Sequence, residues 1–190
     1  LAGNITGQKR AKGFADQLAK IAPDLKVVAS LPGDWDRQKA ANITNDTMTA
    51  NPDLVGIFCA NDTMALGAVE AIDAAGRAAR LEEILDRAEE IVEGEGLDAL
   101  TMRRLADAVG IRAPSLYKHV ADKAELEARL QERGLLQMGA VLRRAADDPV
   151  AMAAAYRRFA LSHPGMYTLA TAGRHRREVA ARDRADNRPA

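Results

Sequence analysis

The chain has 190 residues, of which 47% are hydrophobic and 28% are charged, and its formal net charge is zero. This composition is typical of a globular protein with one medium core or two small ones. The apolar runs are short, and no basic segment followed by an apolar one opens the chain, so we expect neither a membrane partner nor a secretory leader. The first residue is Leu1 in place of methionine, which suggests a fragment.

The basic residues change type part-way along the chain. Residues 1–76 carry five lysines and two arginines against nine acids, whereas residues 77–190 carry two lysines and eighteen arginines against eighteen acids. The net charges of the two parts are therefore −2 and +2. A single evolved domain has no physical reason for such a change, so we predict two segments of different origin. A charge of +2 is too small to predict nucleic-acid binding without a motif.

The cysteine and histidine content indicates no metal site. Cys59 is the only cysteine, and the apolar run around it is typical of a buried strand. His119, His163 and His175 show no ligand spacing with Cys59, so we predict no bound metal. The chain also shows no nucleophile–base set and no phosphate-binding loop. We therefore expect no enzyme and no cofactor.

Helical and strand patterns alternate in residues 1–76. Apolar residues at helical spacing over about 7–21 precede a β-branched stretch at 25–31, and a second helix follows. The run at 54–59 is typical of a buried strand, and Asp62 begins a third helix. The order α-β-α-β-α predicts an α/β fragment with parallel strands between helices.

Three motifs in this segment share one family resemblance. They are Arg10 ahead of Gly13-Phe14, then Asp34-Trp35-Asp36-Arg37, and Ala60-Asn61-Asp62-Thr63-Met64-Ala65-Leu66-Gly67. Residues 1–76 resemble part of the C-terminal lobe of bacterial periplasmic binding proteins for ribose and allose. The resemblance implies that Arg10, Trp35 and Asn61 are inherited sugar-binding positions. A guanidinium and an amide suit sugar hydroxyls, and an indole suits the CH face of the ring.

Each of these three residues also has a plainer interpretation. Trp35 covers the sheet, Arg10 pairs with an acid, or Asn61 caps the following helix. Binding in the resembled family needs both sides of a cleft, whereas the resemblance covers part of one lobe. We therefore predict that the sugar site is inherited but does not function.

The second segment, residues 77–190, has helical patterns throughout. Apolar residues from Leu81 to Val92 step by three and four, which predicts an amphipathic helix. A short helix at 101–109, a sharp turn at Gly110 and a second short helix at about 113–119 together predict a helix-turn-helix. The pair of Asp122 and Glu125 then predicts a capping box for the next helix.

Two consecutive stretches carry a second resemblance. They are Leu100 to Gly110, with the sequence LTMRRLADAVG, and Ile111 to Val120, with the sequence IRAPSLYKHV. Both strongly resemble the DNA-binding head of the tetracycline-repressor (TetR) family, whose second short helix enters the major groove. The resemblance implies three groups of DNA contacts. Arg112, Ala113, Pro114 and Ser115 face base edges, Tyr117, Lys118 and His119 contact the groove wall or phosphate, and Thr101, Arg103 and Lys123 hold the DNA backbone.

Not every residue of the head is expected to touch DNA. We predict that Leu105, Leu116 and Val120 are core residues, and Arg104 is expected to be solvated. Tyr117 suits groove contact and packing equally, because its ring is apolar and its tip is polar. Among the base-facing residues, Arg112 is the best candidate for reading guanine, because its guanidinium can span two acceptors.

The run from Tyr156 to Tyr167 resembles the start of the regulatory and dimerisation domain of the same family. We predict a head at 77–123, partial regulatory helices at 124–173 and a disordered Arg-rich tail at 174–190. The expected fold is mixed, with an N-terminal α/β fragment before an all-α helix-turn-helix domain.

These resemblances imply a cytoplasmic transcriptional repressor that binds double-stranded DNA as a homodimer under the control of a small-molecule effector. Two alternatives stay open. One is a carbohydrate-binding component of a sugar transporter, present only as a fragment. The other is a non-native fusion of the two segments.

Overall fold

The computed structural model describes residues 5–172, which divide into two compact units on either side of the bond between Ala79 and Arg80. The helices are α1 (Ile5–Ile21), α2 (Arg37–Ala50), α3 (Asp62–Glu95), α4 (Met102–Val109), α5 (Ala113–Leu116), α6 (Lys123–Arg143), α7 (Pro149–Ser162) and α8 (Pro164–Thr171), with a short 3-10 turn at Leu97–Ala99. The predicted tail at 174–190 and His175 lie outside the described residues.

The α/β prediction for the first segment is wrong. Within residues 5–172 there is no strand, and the two stretches predicted as strands, 25–31 and 54–59, are irregular. A strand exists only through backbone hydrogen bonds to a neighbour, and none joins these two stretches. They are also not buried, since Val28 is 54% exposed and Val55 is 80% exposed. Apolar, β-branched composition therefore has not produced a sheet here.

The two stretches line an open apolar cleft of about 1050 Å³ in the first unit. Phe14 of α1 and Phe58 stack across part of it, with ring centroids 4.4 Å apart. Cys59 also lines the cleft and is half-buried, so the prediction of a buried strand thiol is wrong. Partial burial raises the pKa of the Cys59 thiol above its ordinary value, because the thiolate is less well solvated there.

Close packing in the first unit is found between α2 and α3. A Cβ added at Gly67 of α3 would lie 2.1 Å from the carbonyl oxygen of Arg37, so only glycine allows this approach. Beside it, the Arg37 guanidinium forms two hydrogen bonds with the Glu70 carboxylate, and the bond from Nε to Oε2 is 2.9 Å long. This pairing raises the pKa of Arg37 and lowers the pKa of Glu70. The core around it is small and consists of Ala40, Thr44, Ala68 and Ala71.

Helix α3 is a single helix of 34 residues, although the sequence predicts one helix that begins at Asp62 and a separate amphipathic helix over Leu81 to Val92. The residues around Gly76 are mainly alanine and arginine, which are among the strongest helix formers. One glycine costs about 1 kcal/mol relative to alanine in a helix, which is too little to stop such a run. Helix α3 ends at Glu95, and Gly96 follows it with a φ of 88°.

Over the described residues 80–172 the second unit is helical without any strand, as predicted, and it has a continuous apolar core. The core residues come from the second half of α3, from α4 to α6 and from α8. They are Ile84, Leu85, Ala88, Ile91, Val92, Leu100, Leu105, Ala106, Leu116, Val120, Leu126, Leu130, Met166 and Leu169. None of the described helices is both long enough and apolar enough to cross a bilayer.

Candidate nucleic-acid interface

Helix α4 is defined at both ends by local hydrogen bonds. The Thr101 hydroxyl accepts a 3.1 Å hydrogen bond from the backbone N–H of Arg104 and so caps the start. At the other end Gly110 is left-handed, with a φ of 73°, and its N–H donates to the carbonyl of Asp107. The N–H of Ile111 donates to the carbonyl of Ala106, which completes a Schellman motif. The predicted turn at Gly110 is therefore confirmed.

Helix α5 starts directly after this turn. Arg112 is its N-cap residue, with φ of −75° and ψ of 141°, but its side chain makes no capping hydrogen bond. The buried side is formed by Leu116, which is fully buried, and by Val120 just after the helix. With Leu105 of α4 also fully buried, the predicted core residues of the head are confirmed.

The outer side of the head carries most of the residues assigned to DNA. Tyr117 is 51% exposed and does not belong to the core, so its exposure favours the groove interpretation over packing. Ala113 instead packs partly against the core. The other positions fall into two groups. Thr101, Arg103, Arg112, Pro114 and Lys118 are exposed, whereas Ser115, His119 and Lys123 are partly buried.

Some basic residues of this surface form an ion pair with an acidic side chain, and others do not. Within residues 5–172, the ion pairs include neither Arg103, Arg112 nor Lys118. Lys123, by contrast, forms a 3.5 Å ion pair with Glu127 one turn further along α6. Arg104, predicted to be solvated, forms a 2.7 Å ion pair with Glu95. Three exposed cations are thus available to an anionic partner without the cost of breaking an ion pair.

The two residues of the predicted capping box hold the start of α6, although the second bond comes from the residue before the N-cap. The Asp122 carboxylate accepts a 2.8 Å bond from the N–H of Glu125, and the Glu125 carboxylate accepts a 2.6 Å bond from the N–H of Ala121. Glu125 also pairs with Arg129 at 2.9 Å. This network fixes the turn between His119 and Lys123. Glu125 was predicted only as part of a helix cap, and it also holds this turn in position.

Two partner acids of the head were not singled out from the sequence. Glu127 lies four residues after Lys123, a spacing from which the ion pair could have been predicted. Glu95 lies nine residues before Arg104, across the end of α3 and the 3-10 turn. No periodic signal links two such positions, so this pair required the structure.

The three residues assigned to sugar binding are only partly brought together. The Arg10 Nη1 donates a 2.5 Å bond to the carbonyl of Ala60, which directly precedes Asn61. Asn61 caps α3, because its Oδ1 accepts a 2.8 Å bond from the N–H of Met64. Trp35 lies in a turn before α2 with a φ of 64°, and within residues 5–172 it makes no ring contact with the other two. The capping interpretation of Asn61 is therefore confirmed.

Asp34 adjoins Trp35 and is also left-handed, with a φ of 51°. Its carboxylate accepts a hydrogen bond from the Lys39 ammonium, and this bond is the largest of the causes that lower the pKa of Asp34 to about 2. Among the described residues no group of three or more His, Cys, Asp or Glu side chains could hold a metal ion.

Comparison with known proteins connects the helix-turn-helix to one family. Residues 84–130 match the family described as bacterial regulatory proteins, tetR family. The helix-turn-helix is a tetR-family head. An uncharacterized HTH-type transcriptional regulator of Mycobacterium tuberculosis (strain ATCC 25618 / H37Rv) is 37% identical over 110 residues, which cover 54% of this chain and 50% of that protein. The tetR head therefore includes the end of α3 as well as α4, α5 and the start of α6.

A second family match begins earlier in the chain and overlaps the start of the tetR match. Residues 2–91 match the family described as periplasmic binding protein domain. The D-allose-binding periplasmic protein of Escherichia coli (strain K12) is 36% identical over 117 residues, which cover 58% of this chain and 37% of that protein. A ribose import binding protein of Salmonella typhimurium (strain LT2) is 33% identical over 132 residues, which cover 68% of this chain and 44% of that protein. The chain thus spans half or less of the length of each of these relatives.

We expect the 190-residue chain to show no measurable binding of D-ribose or D-allose by titration calorimetry. The Asn61 Oδ1 is already used as a helix cap, Arg10 is already bonded to Ala60, and Trp35 is not joined to either. A small-molecule site also needs to enclose its ligand on most sides. A micromolar dissociation constant for either sugar would contradict this expectation.

Proposed function

We propose that this chain is a DNA-binding transcriptional regulator of the TetR type, with residues 77–123 as the reading head. The observation that carries the proposal is the geometry around Gly110. The left-handed turn lets Leu105 and Leu116 share one core while Arg112 and Lys118 stay exposed on the outer side. An exposed short helix with cations beside it suits the major groove of duplex DNA.

The roles within the head follow from exposure and charge. Arg112 has no capping bond and no ion pair among the described residues, so its guanidinium can take two acceptors of a guanine. Pro114, Ser115 and Ala113 complete the base-facing group, with Ala113 limited to apolar contact such as a thymine methyl. Tyr117, Lys118 and His119 contact the groove wall or phosphate. Thr101, Arg103 and Lys123 hold the DNA backbone, with Lys123 leaving Glu127 to do so.

The test begins with selection of a preferred duplex from a randomised pool, followed by filter binding of that duplex and of a scrambled one. Arg112→Ala should lower the preference for the selected duplex by about tenfold to a hundredfold, because one bidentate base contact is worth about 1–3 kcal/mol. Lys123→Ala should weaken the binding of both duplexes alike. It should also reduce the slope of log affinity against log salt concentration by about one, because one phosphate contact is lost.

The matched control is Arg158→Ala, which removes an exposed arginine of α7 outside the head and should leave both affinities unchanged. If Arg112→Ala and Lys123→Ala both bind as tightly and as selectively as the unmodified chain, the assigned roles are wrong. If no duplex is selected at any salt concentration, the regulator proposal itself fails.

The wider setting of the head is also part of the proposal. Helix-turn-helix proteins bind as dimers to two half-sites one helical turn apart, and we propose a homodimer here. Residues 124–173 are proposed as partial regulatory helices that respond to a small-molecule effector. A protein that binds operator DNA works in the cytoplasm of a bacterium. No catalytic step is part of this function.

A further inference from the structure

Helix α8 is attached to the head through Glu93, a residue near the end of α3. The N–H of Gly165 donates to Glu93 Oε2 at 3.1 Å, and the N–H of Met166 donates to Glu93 Oε1 at 2.9 Å. The first N–H groups of a helix have no partner within the helix and carry a partial positive charge. One carboxylate from 72 residues earlier in the chain therefore satisfies two of them.

A second bond holds the other end of α8. The buried side chain of Gln131 in α6 donates from Nε2 to the carbonyl of Leu169 at 3.1 Å. Between the two ends, α8 lies against Gly134 of α6, where an added Cβ would be 3.2 Å from the carbonyl oxygen of Met166. Helix α3, which precedes α4 in the chain, and helix α6, which follows the reading helix α5, thus both hold α8.

Helix α8 approaches α3 closely at Gly165. A Cβ added at Gly165 would lie 2.5 Å from the carbonyl oxygen of Val92. Met166 is fully buried and belongs to the same core as Leu105 of α4 and Leu116 of α5. Removal of α8 would therefore open the core on which the reading helix rests.

We propose that Glu93 is a positioning residue for DNA binding, because its carboxylate holds α8 on the head and only the head with α8 in place presents α5 correctly. This inference rests on the proposed DNA-binding function. It extends the functional head to residues 164–171, well beyond the matched stretch that ends at residue 130. It also has a reciprocal consequence: if an attached α8 favours DNA binding, bound DNA must favour the attached α8.

The experiment measures hydrogen exchange at the amides of Gly165 and Met166 in the full chain, with and without the selected duplex. In the unmodified chain, bound DNA should slow exchange at both amides, although neither residue is assigned to DNA. Glu93→Ala should speed exchange without DNA by about tenfold or more, because hydrogen bonds to a charged group are lost, and it should weaken DNA binding. Glu93→Gln keeps one acceptor oxygen and should recover part of both losses.

A second variant reaches the same contact with Glu93 intact. Gly165→Ala should push α8 away from Val92 and reproduce both effects of Glu93→Ala. Two controls match these variants. Glu90→Ala removes an exposed acid of α3 that pairs with Arg87, and Gly139→Ala adds a methyl that meets only the end of the Arg143 side chain. Both should leave the exchange rates and the DNA affinity unchanged.

The outcomes separate this inference from the function on which it rests. If DNA binds and exchange at Gly165 and Met166 does not change, Glu93 has no positioning role and only this inference is overturned. The same holds if Glu93→Ala and Gly165→Ala both bind DNA with unchanged affinity. If the unmodified chain binds no duplex, the proposed function fails first and the inference falls with it.

Discussion

The substitution Leu116→Ala is expected to lower the free energy of unfolding of the second unit by about 2–5 kcal/mol. Leu116 is fully buried, and α5 has only four residues, so this side chain is a main contact between the reading helix and the core. Its truncation leaves a cavity in the core to which Leu105 and Leu126 also belong, in addition to the loss of buried apolar surface. Urea denaturation of the full chain, followed by circular dichroism, measures the change.

The matched control for this prediction is Leu136→Ala in α6. Leu136 is 61% exposed, so its truncation should change the free energy of unfolding by no more than about 0.5 kcal/mol. Leu116→Ala should also weaken DNA binding, because a loosened α5 no longer holds Arg112 and Lys118 in one orientation. Equal stability of the two variants would show that α5 is not anchored through Leu116.

The substitution Gly67→Ala is expected to destabilise the first unit by about 3 kcal/mol, at the upper end of the usual cost of overpacking. The added methyl would lie 2.1 Å from the carbonyl oxygen of Arg37, and a backbone atom at the start of α2 cannot move aside as a side chain would. We expect faster hydrogen exchange in peptides from α2, since α2 must separate from α3 to make room.

Gly76→Ala is the control within the same helix. A Cβ at Gly76 meets no atom within 4 Å, so the only effect is the better helix propensity of alanine. This variant should stabilise α3 by about 0.5–1 kcal/mol. Tight packing of α2 on α3 would be disproved if Gly67→Ala were as well tolerated as Gly76→Ala.

The helix-turn-helix could be predicted closely because its signals are local. A turn at glycine and a capping box each act within a few residues of chain, and the structure shows Gly110 and Asp122 in those predicted roles. Thr101, predicted as the first residue of the short helix, is its N-cap. The partners of Arg104 and of the α8 N-terminus were not predictable in the same way. Glu95 and Glu93 meet these partners from other elements of the fold, and no spacing rule connects residues nine or 72 positions apart.

The first unit shows the opposite case, in which a correct family resemblance led to a wrong fold. The β-branched composition of residues 25–31 was interpreted as a strand, as it would be in a complete parallel sheet. A strand needs a hydrogen-bonded neighbour, and the described residues provide none for this stretch. Local strand propensity therefore does not predict a strand where no second strand is available to form hydrogen bonds with it.

The aromatic residues divide between the two units in a way that helps these experiments. Trp35 is the only tryptophan, and it lies 39% exposed in the turn before α2, whereas the three tyrosines, Tyr117, Tyr156 and Tyr167, all belong to the second unit. Tryptophan emission therefore reports on the first unit alone. Optical spectroscopy of the unmodified chain can thus follow the first and the second unit as separate signals, without any added label.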